Sequence, residues 1–87
     1  MAFQVEFTKS AKKEFDRLPS KIRQQVSDAL LVVSVNPWSD ILQIKKLKRE
    51  DSLFRIRLGD YRVLYSIERK ILTVVVIKIG HRQSVYK

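Results

Sequence analysis

Leu53-Phe54-Arg55-Ile56-Arg57-Leu58-Gly59-Asp60-Tyr61-Arg62-Val63-Leu64-Tyr65 is the stretch that decides the fold of this chain. Apolar and polar residues alternate on both sides of Gly59-Asp60, which reads as two strands joined by a two-residue turn with glycine first. That turn sets the register: Leu58 faces Tyr61, Arg57 faces Arg62, Ile56 faces Val63 and Arg55 faces Leu64. Side chains alternate along a strand, so Phe54, Ile56 and Leu58 share one face with Tyr65, Val63 and Tyr61. Arg55, Arg57 and Arg62 then occupy the opposite, solvent face.

Working outward, Ile71–Ile79 is rich in β-branched residues and reads as a further strand, antiparallel to its neighbour. Residues 38–50 mix Ile41, Leu42, Ile44 and Leu47 with Lys45, Lys46, Lys48 and Arg49, and are read as a connecting segment. Before them lie two helices. Thr8 or Ser10 caps the first, whose apolar side is Ala11, Phe15 and Leu18, and Pro19 ends it. Ser20 caps the second, with Ile22, Val26, Ala29, Leu30 and Val33 at core-facing spacing, and Asn36-Pro37 stops it. Phe3–Phe7 alternates as a short opening strand. The order is β-α-α-β-β-β, an α+β fold in which an antiparallel helix hairpin packs on one face of a mostly antiparallel sheet.

The 87 residues allow one domain, 1–87, since a chain this short buries only roughly 60–65% of its unfolded surface. It has no cysteine, so stability rests on packing without disulfides, consistent with a reducing compartment. The start Met1-Ala2-Phe3-Gln4-Val5-Glu6 is unlike a secretory signal, and no apolar run approaches the ~20 residues that span a bilayer. A cytoplasmic protein with no membrane partner is expected. The formal charge of +9 is unevenly spread: residues 1–40 carry 6 basic and 5 acidic groups, residues 41–87 carry 12 and 4. One half therefore holds nearly all the excess, as expected of a surface that meets a polyanion such as nucleic acid; a protein charged for solubility, or one neutralised by an acidic partner, would show the same balance.

Two like charges placed opposite one another on a sheet destabilise it, so Arg57 beside Arg62 suggests an anionic ligand. Guanidinium groups bind phosphate oxygens bidentately and can stabilise charge on a pentacovalent phosphorus. Solvated arginines on an open sheet are the alternative. The last strand returns its end to this edge, so Gly80-His81-Arg82-Gln83-Ser84-Val85-Tyr86 is expected to gather His81, Arg82 and Tyr86 beside Arg55, Arg57 and Arg62. His81 is the sole histidine, with an intrinsic pKa suited to proton transfer, and neighbouring positive charge favours its neutral form. Tyr86 is either a packed terminal aromatic or a group that stacks on a base or orients a hydroxyl. The acidic residues of the second half, Glu50, Asp51, Asp60 and Glu68, fall in expected loops and turns and form no evident cation cluster, so neither a metal nor another cofactor is expected. There is no glycine-rich phosphate loop, dinucleotide fingerprint or serine elbow.

Lys45-Lys46-Leu47-Lys48, Leu53–Leu58, Gly59-Asp60-Tyr61-Arg62-Val63-Leu64-Tyr65 and Gly80-His81-Arg82-Gln83-Ser84-Val85-Tyr86, in that order, resemble the RelE/ParE toxin superfamily over essentially the whole chain. The resemblance implies a RelE-like fold and a cytoplasmic toxin of a toxin–antitoxin pair. Such a toxin is a metal-independent endoribonuclease that enters the ribosomal A site and cuts the messenger there. It places the family's basic strand residues on Arg55 and Arg57, its hairpin arginine on Arg62, its post-strand arginine on Arg82 and its terminal tyrosine on Tyr86. Lys45, Lys46, Lys48 and Arg49 become RNA-binding residues, and the partners become an antitoxin, the ribosome and messenger RNA. Well-known RelE members have lysines where this chain has Arg55 and Arg57. An arginine, with a pKa above ~12, is a poor proton acceptor, and the general-base role passes to His81. Two other readings stand beside this one: a ParE-like gyrase inhibitor without RNase activity, and a nucleic-acid-binding or repressor subunit that binds without cutting.

Overall fold

A computed structural model describes residues 2–37, 43–46 and 53–81. Strand β1 spans Gln4–Phe7, helix α1 Lys9–Asp16 and helix α2 Ser20–Val35. Strands β2 (Gln43–Lys46), β3 (Leu53–Leu58) and β4 (Tyr61–Glu68) follow. A 3-10 turn over Arg69–Ile71 then leads to β5, Thr73–His81. The strands form one sheet in the order β1-β5-β4-β3-β2, antiparallel throughout except for the parallel β1–β5 pair. The expected helix hairpin on a mostly antiparallel sheet is therefore the observed architecture.

Three details differ from the sequence reading. The segment expected to be only a connection contains β2, an edge strand whose single strong apolar residue, Ile44, gave no alternation to detect. Strand β5 begins and ends two residues later than expected. Leu72 takes a left-handed conformation (φ 48°) after the 3-10 turn, and the backbone of Gly80 and His81 pairs with β4. At the start of α2, Pro19 rather than Ser20 is the capping residue, because its carbonyl accepts the first helical bond from Arg23 N at 2.9 Å.

Thr8 caps α1, its Oγ1 accepting from Ala11 N at 3.1 Å. The helix hairpin is braced by Arg23, whose Nη1 donates to the Leu18 carbonyl at 3.3 Å and so satisfies an acceptor in the short connection between the helices. Val26, Ala29, Leu30 and Val33 of α2 and Ala11 of α1 are buried, together with Phe54, Ile56, Val63, Tyr65, Ile67, Val74, Val76 and Ile79 of the sheet. This single core lies between the helices and one sheet face. Tyr65 sits at its centre, fully buried, stacked on Phe54 at 5.7 Å and donating its hydroxyl to the Pro37 carbonyl at 2.8 Å. Burial pushes the Tyr65 phenol well above the ordinary tyrosine range, so it stays a neutral donor.

Strand β1 is short, and its pairing with β5 ends at Phe7 opposite Val76. Beyond that point the edge of β5 is met by α1. Thr8 N donates to Val76 O at 3.0 Å, Thr8 Oγ1 donates to Ile77 O at 3.2 Å, and Ile79 N donates to the Glu14 carboxylate at 2.9 Å. A helix thus supplies hydrogen-bond partners where a sheet neighbour has run out.

Candidate nucleic-acid interface

The turn at Gly59-Asp60 forms as its sequence requires, with Gly59 at φ +61°, a value that side-chain-bearing residues rarely adopt. The β3–β4 register is the one expected: Phe54 with Tyr65, Arg55 with Leu64, Ile56 with Val63, Arg57 with Arg62, Leu58 with Tyr61. Core residues therefore take the helix-facing side, and Arg55, Arg57 and Arg62 project on the other. Strand β2 adds to this arrangement, because Lys45 is the direct partner of Arg55. Lys46 is paired with Phe54 and so belongs to the helix-facing side. Both lysines are expected as RNA-binding from the sequence, and their opposite faces follow only from the pairing of β2 with β3.

The sheet therefore carries two like-charge cross-strand pairs on one face, Lys45 with Arg55 and Arg57 with Arg62. Such pairs bring Cβ atoms within about 5 Å, and like charges there cost folding free energy. The side chains manage this differently. Lys45 and Arg57 are exposed and Arg55 is half-buried. Arg62, expected on the solvent face, is only 7% exposed. Its Nη1 donates to Gly59 O at 3.1 Å and to Tyr61 O at 3.2 Å, so the guanidinium folds back along the turn. The hairpin arginine thus also braces the loop, a role that alternation alone does not reveal.

On the far side of Arg62, the ladder places Gly80, which offers no side chain next to the guanidinium. His81 pairs with Tyr61, and the two rings meet edge to face at 5.7 Å. This differs from the expected grouping. His81 reaches the same end of the sheet as the arginines but lies on the opposite, helix-facing side. The cause is a register shift between Leu64 and Tyr65: Tyr65 pairs with Val76 and Leu64 with Lys78, leaving Ile77 as an extra residue in β5. One extra residue turns every later side chain to the other face. Had the pairing of Thr73–Val76 continued unbroken, His81 would stand with Arg57.

Four expected site residues, Lys48, Arg49, Arg82 and Tyr86, lie outside the described residues. Among those described, the structure joins Lys45, Arg55, Arg57 and Arg62 on one face, and sets His81 around the sheet's end from them. Such a surface is suited to the ribose–phosphate backbone, with fixed cations spaced along a strand pair. Among the described residues, no helix is long and apolar enough to cross a membrane.

Known proteins resemble this chain in sequence and in fold. Residues 5–86 match the family model described as ParE toxin of type II toxin-antitoxin system, parDE. The chain is 34% identical over 90 residues to Toxin RelG of Mycobacterium tuberculosis, covering 100% of this chain and 99% of that protein. It is 29% identical over 85 residues to the mRNA interferase toxin RelE of Escherichia coli K12, covering 95% of this chain and 86% of the relative. In three dimensions it resembles the archaeal RelE of the Pyrococcus horikoshii RelE-RelB complex, with a TM-score of 0.83 and 26% identity, over 98% of this chain and 100% of that one. With a family model spanning nearly its whole length and relatives matched end to end, this chain belongs to the RelE/ParE family of type II toxin–antitoxin toxins.

Proposed function

We propose that this toxin is a metal-independent, ribosome-dependent endoribonuclease of the cytoplasm that cuts messenger RNA in the A site, and that a cognate antitoxin neutralises it. The observation that carries the reading is the paired cations of one sheet face, Lys45 with Arg55 and Arg57 with Arg62. Their mutual repulsion is relieved when a polyanion binds. Support comes also from the E. coli relative named an mRNA interferase and from relatives solved with RelB partners.

In the proposed reaction the ribose 2′-hydroxyl attacks the adjacent phosphorus and its proton passes to a general base. The 5′-oxygen of the next nucleotide leaves and takes up a proton from water, the base returning its own proton to solvent, which gives a 2′,3′-cyclic phosphate and a 5′-hydroxyl end. Arg55 and Arg57 hold the phosphate and stabilise the charge of the pentacovalent state, and Arg62 acts from the turn beside them. His81 is the proposed base, and Arg82 and Tyr86 the proposed completing cation and stacking ring. Lys45, Lys46, Lys48 and Arg49 are the proposed RNA-binding residues. Because His81 is on the other face from Arg57, the scissile phosphate in this scheme crosses the end of the sheet rather than lying flat on it. Primer extension on a translated message tests the reading: cuts at ribosome-occupied codons that vanish without ribosomes are expected, and intact message throughout would reject it.

A second reading, a gyrase inhibitor without RNase activity, is favoured by the family model's ParE description. It predicts loss of supercoiling by purified gyrase with messages left whole.

A further inference from the structure

Helix α1 touches the end of β5 through one acidic side chain. Glu14 Oε1 accepts from Ile79 N at 2.9 Å, and its Oε2 lies 3.6 Å from Lys78 Nζ. Both oxygens of one carboxylate thus engage consecutive residues of β5, and the side chain is largely shielded, at 29% exposure. These residues lie immediately after Ile77, the extra residue that sets which way the end of β5 faces, and immediately before Gly80 and His81. Thr8 holds the other side of the same irregularity through Ile77 O. Beyond the bulge, β5 is held on its inner side by its pairing with β4 and by the buried Ile79, while on its outer side, among the described residues, no strand is paired with it. On that outer side the Ile79 amide donates instead to the Glu14 carboxylate, a charge-assisted bond of the stronger class.

The geometry points to Glu14 as a positioning residue for the candidate site: it locks the register of β5 beyond Ile77, and thereby fixes Gly80 beside Arg62 and His81 against Tyr61. It acts through Ile79 and touches no substrate. Its effect on cleavage rests on the RNase reading; its effect on His81 does not.

The test compares Glu14→Ala with Glu14→Gln, each purified from its antitoxin complex and assayed well below its melting temperature. Glutamine keeps an oxygen acceptor for Ile79 N–H and loses only the charge facing Lys78. Misplacement of a reacting group by about 1 Å costs on the order of a hundredfold in rate. Glu14→Ala is therefore expected to lower single-turnover cleavage on saturating ribosomes ten- to a hundredfold, roughly by that argument, with ribosome affinity unchanged, and Glu14→Gln to recover most of it. Faster amide exchange at Ile79 and shifted imidazole resonances of His81 are expected in Glu14→Ala and not in Glu14→Gln. Wild-type rates and unmoved His81 resonances in Glu14→Ala overturn the assignment, as does equal impairment in both variants. A wild-type protein that cuts no message defeats the RNase reading alone. The Ile79 and His81 signals then decide the positioning role, their displacement in Glu14→Ala only supporting it and their constancy overturning it.

Discussion

Arg57 and Arg62 are direct partners across the β3–β4 ladder, cation opposite cation, yet one is exposed while the other is folded into the turn beneath it. The asymmetry follows from their neighbours. Arg62 is three residues from the Gly59 carbonyl, which it reaches with Nη1 at 3.1 Å, so its charge is partly offset by carbonyl dipoles. Arg57 keeps its hydration and is the one available to a phosphate. Two residues that look equivalent in an alternating sequence should therefore behave differently when changed.

Arg57→Thr removes the repulsion and places a strand-favouring residue at an exposed position. Unfolding in urea should show the variant more stable than wild type by about 0.2–1 kcal/mol. Cleavage on ribosomes should fall, and the dependence of RNA affinity on salt should lose about one unit of slope, the signature of one lost phosphate contact. A variant no more stable and equally active would contradict both halves of the argument.

Arg62→Ala removes the brace of the turn. Hydrogen bonds from a charged donor contribute about 1.5–3 kcal/mol each when buried, and the figure here sits at the low end because the acceptors lie near a solvent-exposed turn. A loss of about 1–2 kcal/mol is expected, with Arg62→Lys recovering part of it. Cleavage must then be compared per folded molecule. Loss of activity without loss of stability would place Arg62 wholly in the site and not in the turn.

Gly59→Ala is a purely conformational test of the same hairpin. Nothing lies within 4 Å of the position a Cβ would take, so no clash arises, and the cost is that of holding φ at +61°. That cost is about 1–2 kcal/mol for alanine. Asparagine tolerates the region better and should lose less. Equal melting temperatures for glycine and alanine would mean that the turn relaxes to another class.

The contrast among these positions also marks what the sequence discloses. The hairpin register was legible because Gly59 fixes the turn and a period of two then assigns every side chain from Leu53 to Tyr65. The helix stripe of Val26, Ala29, Leu30 and Val33 was legible for the same kind of reason, with period 3.6. Strand β2 was not, because a four-residue edge strand bearing two lysines needs its partner β3 before its pattern means anything. The face of His81 was hidden more deeply. It depends on one extra residue at Ile77, and no glycine or proline announces that irregularity in Thr73-Val74-Val75-Val76-Ile77-Lys78. Nor does sequence spacing show that Arg62 bends back, or that Glu14 meets Ile79 from 65 positions away.

Tyr65 offers a test of the core that holds all of this in place. Its hydroxyl donates to Pro37 O at 2.8 Å in a buried setting, tying the end of the helix hairpin to the central strand β4. Tyr65→Phe keeps the ring and its stacking on Phe54 but leaves the carbonyl without that donor, which should cost about 1–3 kcal/mol. The same residue sets a dependence on pH. Burial raises the phenol's pKa in the folded state above its unfolded value of 10.0. Above pH 10 the unfolded chain therefore releases this proton while the folded chain retains it, and folding stability falls as pH rises. Below pH 10 both states hold the proton and the contribution is flat. Lysines and the other tyrosines titrate in the same window, so the informative quantity is the difference between wild type and Tyr65→Phe, measured by urea unfolding from pH 8 to 11. That difference should be constant up to about pH 10 and shrink beyond it as wild type alone pays the deprotonation of its unfolded state. A difference that stays level to pH 11 would show that the Tyr65 phenol titrates alike in both states, and that the core around it admits water.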